Sequence, residues 1–152
     1  MAQLETDILA DLIDKKHQCL TALRDLGRRQ LALVQGGELP PLLKVLATKN
    51  RLIEYLQQLE RQLEPFQSQD PDARQWRSPA DRTACAQQAE ACRQLWNEVI
   101  QQEQQSEQEL TQRRDEAATR LQGMHTAHQA RDAYCDPPAS GTSGMLDLTS
   151  ES

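Results

Sequence analysis

Apolar residues return every three or four positions between Gln3 and Gln35: Leu4, Ile8, Leu12, Cys19, Leu23, Leu26 and Leu33, with Lys16 and Gln30 at two polar steps. That spacing is one face of an α-helix. Leu9, Ile13, Leu20, Leu31 and Val34 widen the face to the breadth a helical core needs. Gly36-Gly37 then ends the helix, because a glycine tolerates the left-handed conformation in which many helices terminate.

A second helix opens within Glu38-Leu39-Pro40-Pro41, where the N–H groups that proline lacks have no intrahelical partner in any case. Leu42, Leu46, Lys49, Ile53, Leu56 and Leu63 carry its stripe, flanked by Leu43, Leu52 and Leu59. The short connection predicts antiparallel neighbours, an αα-hairpin over residues 3–64 with helices at about 3–35 and 39–64.

Residues 65–78 read as a linker with two prolines, anchored to the hairpin by Phe66 and Trp76. Extended, it spans ~46 Å, enough to run back along the hairpin, so the direction of the next helix is open. Ser78-Pro79-Ala80-Asp81 then starts a third helix, with serine at the cap, proline in the first turn and an acid at the third position. Helix-compatible sequence continues to residue 135, ~84 Å against ~50 Å and ~39 Å for the first two helices.

The third helix is poor in apolar residues. Cys92, Leu95, Val99, Leu110, Ala117, Leu121, Met124 and His128 share a stripe, but residues 101–109 contain no apolar side chain. Trp96, Leu95, Val99 and Ile100 are expected to pack residues 80–100 onto the hairpin, leaving the remainder in need of a partner. Sixteen of the twenty-one leucines precede Glu64, so the hairpin is self-sufficient and the last helix is not. One helical domain is expected over residues 1–135, followed by a disordered tail, 136–152, that ends in the small apolar cluster Met145-Leu146-Asp147-Leu148.

Composition narrows the class to all-α. Aromatic residues make up 3% of the 152, and strands draw on aromatic and β-branched side chains. A net charge of −6 argues against nucleic acid as a partner, since binding it requires Lys and Arg to neutralise phosphates. No run approaches the ~20 apolar residues of a membrane span. The first residues lack a basic and then apolar leader, so a cytoplasmic location with reduced cysteines is expected.

No motif points to catalysis, a cofactor or a metal. His125 and His128 could share a helix face, but the positions three and four before His125 are Gln122 and Leu121, so the Glu-x-x-His element of metal-binding bundles is missing. Cys85 and Cys92, seven apart on one face, suit small core positions. There is no glycine-rich phosphate loop and no nucleophile elbow. A binding or structural protein is expected, not an enzyme.

The stretch Leu31-x-Leu33-Val34-x-Gly36-Gly37-Glu38-Leu39-x-x-Leu42-x-x-x-Leu46-x-x-Lys49-x-x-x-Ile53-x-x-Leu56 joins two helices through a Gly-acid-Leu corner, with a lysine one turn past the leucines. It resembles the FlgN-like flagellar type III export chaperones. Chain length, the Ser78-Pro79 start and a long third helix are also similar.

The resemblance implies a cytoplasmic chaperone that binds terminal helices of hook–filament junction proteins and delivers them to the export apparatus. The implied site is the C-terminal half of the last helix: Leu110, Leu121, Met124 and Tyr134, with Ala117 and His128 on the same side. Two rivals stand beside it. One is a chaperone of the filament-cap type. The other is a structural coiled-coil homodimer joined across Cys92 and Leu95.

Overall fold

The computed structural model describes residues 3–135, without the side chain of Cys135. These residues form three α-helices: α1 (Glu5–Gly36), α2 (Leu39–Gln67) and α3 (Pro79–Cys135), with a one-turn 3-10 helix at Pro71–Ala73 before α3. No strand occurs among the described residues, so the chain is all-α. It divides into two compact units, Met1–Leu110 and Thr111–Ser152. The tail at 136–152, with its Met-Leu-Asp-Leu cluster, lies outside the described residues.

Local chemistry sets the helix ends. The Asp7 carboxylate accepts the Leu4 N–H at 3.0 Å, satisfying a donor that the first turn of α1 leaves unpaired. At the other end Gly37 takes φ 68°, in the left-handed region. Its N–H reaches the Val34 carbonyl at 3.2 Å, and the Glu38 N–H reaches Leu33 at 3.1 Å. This pair of bonds is a Schellman cap, which consumes the orphan carbonyls of the helix end and turns the chain. At the start of α3 the Ser78 hydroxyl accepts the Asp81 N–H at 3.2 Å.

α2 runs past the expected end at residue 64 to Gln67, with Pro65 inside the helix. A proline in the last turn removes only one backbone bond. The carbonyls there find other donors: Ser68 Oγ bonds Pro65 O at 3.1 Å and Arg74 Nη2 bonds Phe66 O at 2.6 Å. Phe66 and Trp76 both pack against the core, anchoring the linker as expected.

Cross-helix contacts give the directions within the first unit. Lys16 pairs with Glu60 at 2.6 Å, Cys19 Sγ with Leu52 O at 3.3 Å, and Lys49 with Gln30 at 2.6 Å, so α1 and α2 are antiparallel. From α1 to α3, Asp14 meets Gln88, Arg24 meets Gln102, Arg28 meets Glu98 and Gln35 meets Glu109. From Asp14–Gln88 at one end to Gln35–Glu109 at the other the partners advance along both helices, so α3 runs parallel to α1.

The linker therefore does not return along the hairpin. It stays at the end where α1 begins: Thr6 Oγ1 bonds Gln75 O at 2.7 Å, Gln69 bonds Glu5 at 3.3 Å, and Arg77 holds Asp7. All three helices supply one apolar core, built on Leu9, Leu12, Leu20 and Leu23 of α1, Leu56, Leu59 and Leu63 of α2, and Cys85, Cys92 and Leu95 of α3.

Candidate functional site

α2 presents two apolar stripes rather than one. Leu42, Val45, Leu56, Leu59 and Leu63 face the core, while Leu39, Leu43 and Ile53 are exposed on a second line of the same helix. α3 does the same within the first unit: Cys92 and Leu95 are buried, whereas Trp96 and Ile100 are exposed. The expectation that Trp96 and Ile100 pack on the hairpin is thus corrected. At 100° per residue they stand on the flank of the buried line, turned towards the gap between α2 and α3.

That gap is a groove of ≈ 930 Å³. Its floor includes Leu20, Leu23 and Leu56, and its walls carry Ile53, Trp96 and Ile100, which are 39%, 45% and 37% exposed. Isolated exposed apolar side chains are ordinary, but a contiguous set lining a concave surface marks a contact site. An α2 arc wider than one neighbour can cover was the only signal of this groove in the sequence, and Asn50 and Gln57 interrupt it.

At one end the groove meets a buried polar cluster. Gln30 and Lys49, polar residues within the apolar stripes of α1 and α2, are both buried. Lys49 Nζ donates to Gln30 Oε1 at 2.6 Å and to the Glu103 carboxylate of α3. A buried cation is stable only when paired and hydrogen-bonded, and here one residue from each of the other two helices does so.

Of the residues assigned to partner binding from the resemblance, Leu110 belongs to the first unit without lining the groove, and the others belong to the second unit. Leu110 is exposed at the end of the first unit. In the second unit every residue from Thr111 to Tyr134 is exposed, with Leu121, Met124 and Tyr134 at 67%, 69% and 92%. Ala117, Leu121, Met124 and His128 share a helix face there, but Tyr134 stands about 120° round from it. His128 Nε2 lies 3.3 Å from Asp132 Oδ2, a pair on one helix surface that contributes little to order.

The three described thiols offer no nucleophile. Cys19, Cys85 and Cys92 are buried and unbridged. Burial pushes all three above the ordinary thiol range, so little thiolate forms near neutral pH. Cys92 and Leu95, the residues through which a dimer seam was expected, lie in the chain's own core and are unavailable to a second copy. Among the described residues no group of three or more His, Cys, Asp or Glu could hold a metal ion, and no helix is long and apolar enough to cross a membrane.

The fold and groove define an all-α protein whose distinguishing surface is apolar and concave. No family model, no curated protein and no solved structure matches the chain.

Proposed function

We propose that the protein is a cytoplasmic export chaperone that shields terminal helices of flagellar hook–filament junction proteins and hands them to the type III export apparatus. In this reading Met1–Leu110 is a three-helix bundle, and the Gly36-Gly37-Glu38-Leu39 corner is the feature shared with the FlgN-like chaperones. The observation that carries the reading is that each unit, taken by itself, leaves large apolar side chains of α3 exposed: Trp96, Ile100 and Leu110 in the first, Leu121 and Met124 in the second.

A cargo helix with exposed leucines would assemble or aggregate early. Laying that face on an apolar surface removes it from water, and each well-buried Leu or Met contributes about 1.5–3 kcal/mol. A handful suffices for micromolar affinity after the costs of association. Met124 suits such a surface because its unbranched thioether adapts to the partner. The reading requires no enzymatic step and no cofactor.

Co-purification of the full chain with a hook–filament junction protein tests it, beside a chain ending at Leu110. A complex with the full chain supports the chaperone reading, and its loss on truncation places the contact beyond Leu110, where Leu121 and Met124 lie. A complex with the filament-cap protein alone transfers the reading to that related chaperone type. If neither protein is bound and the free chain sediments as a tight dimer, a structural dimer with a seam other than Cys92 and Leu95 replaces it.

A further inference from the structure

We propose that the α2–α3 groove of the first unit takes an amphipathic helix whose apolar face is flanked by acidic residues. The inference rests on the chaperone reading for the source of that helix. The groove's own geometry and charge supply its chemistry.

Shape selects a helix. Lys49 of α2 meets Glu103 of α3 and Glu60 of α2 lines the same groove as Cys92 of α3, so the two walls are antiparallel helices. Along α2 the lining runs from Leu46 to Arg61, ~23 Å, the length of about four helical turns. Both walls are helix interiors, whose backbone donors and acceptors are already paired. An extended peptide would find no ladder there and would bury unpaired N–H and C=O groups. A helix satisfies its own backbone and brings only side chains to the apolar floor.

Charge selects the flanks. The chain carries −6 overall, yet the groove is lined by Lys16, Lys49, Arg61 and Arg93 against only Glu60 and Glu103. Lys16 is held by Glu60, Lys49 by Glu103, and Arg93 by Glu90 of its own helix. Arg61 has no ion-pair partner among the described residues. It stands on the α2 wall with Arg93 on the α3 wall, so an acid on either side of an incoming apolar face meets a guanidinium. A second copy offering its own exposed stripe at 117–128 suits the groove less well, because residues 111–135 carry four arginines against three acids.

The test uses the full chain and two labelled synthetic helices of about sixteen residues. Both have the same leucine face, one flanked by Glu and one by Lys, and fluorescence anisotropy gives their affinities. The Glu helix is expected to bind at least about tenfold more tightly, Arg61→Glu to erase or invert that preference, and Trp96→Ala to weaken the Glu helix by about tenfold. Both variants sit at exposed positions, and unchanged far-ultraviolet circular dichroism checks that they fold.

Equal affinity for the two helices, or indifference to both substitutions, overturns the proposal. A change in Trp96 emission, read in a Trp76→Phe background, on removing residues 136–152 also overturns it, by making the chain's own tail the occupant. The same variants are then offered a hook–filament junction protein. If the junction protein is retained by both, the groove proposal fails and the chaperone reading stands. If the Glu helix is selected and no junction protein binds, the chaperone reading fails and the groove stands.

Discussion

Lys49 of α2 donates a 2.6 Å hydrogen bond to Gln30 of α1, and both residues are buried where their helices would otherwise present leucine-type positions. Glu103 of α3 accepts from the same ammonium, so one side chain links all three helices. Such a contact is directional where apolar packing is not, and it holds the helices in one register. Lys49→Ala is expected to destabilise the chain by about 2–3 kcal/mol, because Gln30 is left buried without its donor. The double change Lys49→Met with Gln30→Leu should recover most of that loss, since an apolar pair needs no partners. Urea unfolding of the three chains measures both effects, and a double variant no more stable than Lys49→Ala would show that the cluster is needed for packing as well.

Gly27 is reserved for a neighbour on α3. A β-carbon at that position would lie 2.2 Å from Gln102 Oε1 and 2.9 Å from its Cδ. Gln102 crosses the α1 backbone there, with Nε2 bonded to Arg24 O at 3.1 Å. Glycine inside a helix costs about 1 kcal/mol relative to alanine, so Gly27→Ala ought to stabilise α1 if nothing opposed it. In the native chain it must push aside the flexible end of Gln102 and its bond to Arg24 O, which offsets the helix gain and leaves an expected net change near zero. In a Gln102→Ala background the same substitution is expected to stabilise by about 1 kcal/mol. The difference between the two backgrounds in urea unfolding is the measurement.

Asp7 couples α1 to the linker and responds to acid. The hydrogen bonds from Arg77, then the Leu4 N–H, hold its carboxyl below the usual aspartate range. A carboxyl depressed in the folded state stabilises that state above its unfolded pKa, and the contribution disappears as pH falls through the folded value. The native chain should therefore exceed Asp7→Asn in stability at pH 6, and the difference should close as the pH is lowered below about 4. Thermal unfolding across that range reads it. A gap that stays constant to pH 2 would mean that Asp7 acts through its shape and not its charge.

Thiol chemistry reports on the core of the first unit. Cys19, Cys85 and Cys92 are buried, with thiols raised by burial. Peptide mapping after N-ethylmaleimide treatment at pH 7 is expected to leave all three unmodified in the native chain and to find all three modified in urea. Rapid native labelling of Cys92 would show that α3 opens from α1 on the labelling timescale.

The helices, their ends and the corner were legible because they depend on neighbours in the chain. A glycine at residue 37, a serine at residue 78 and leucines at three-four spacing act within a turn or two of helix. Pro65 misled the boundary of α2 because its cost is small in a last turn whose carbonyls are bonded by Ser68 and Arg74. Lys16, Gln30 and Lys49 stood out as polar steps in apolar stripes, but periodicity assigns no partners. Trp96 and Ile100 read as core because residue type reports a preference for burial and not which neighbour provides it.

By itself, then, the sequence determined an all-α chain with a hairpin corner and a third helix short of apolar contacts, since propensity, capping and patterning are local. Only the tertiary structure decided that α3 runs parallel to α1, that Lys49 is buried against Gln30 and Glu103, and that α2 and α3 leave a groove between them. Those outcomes depend on which faces meet across ~70 residues of chain, a choice made by packing the whole core at once.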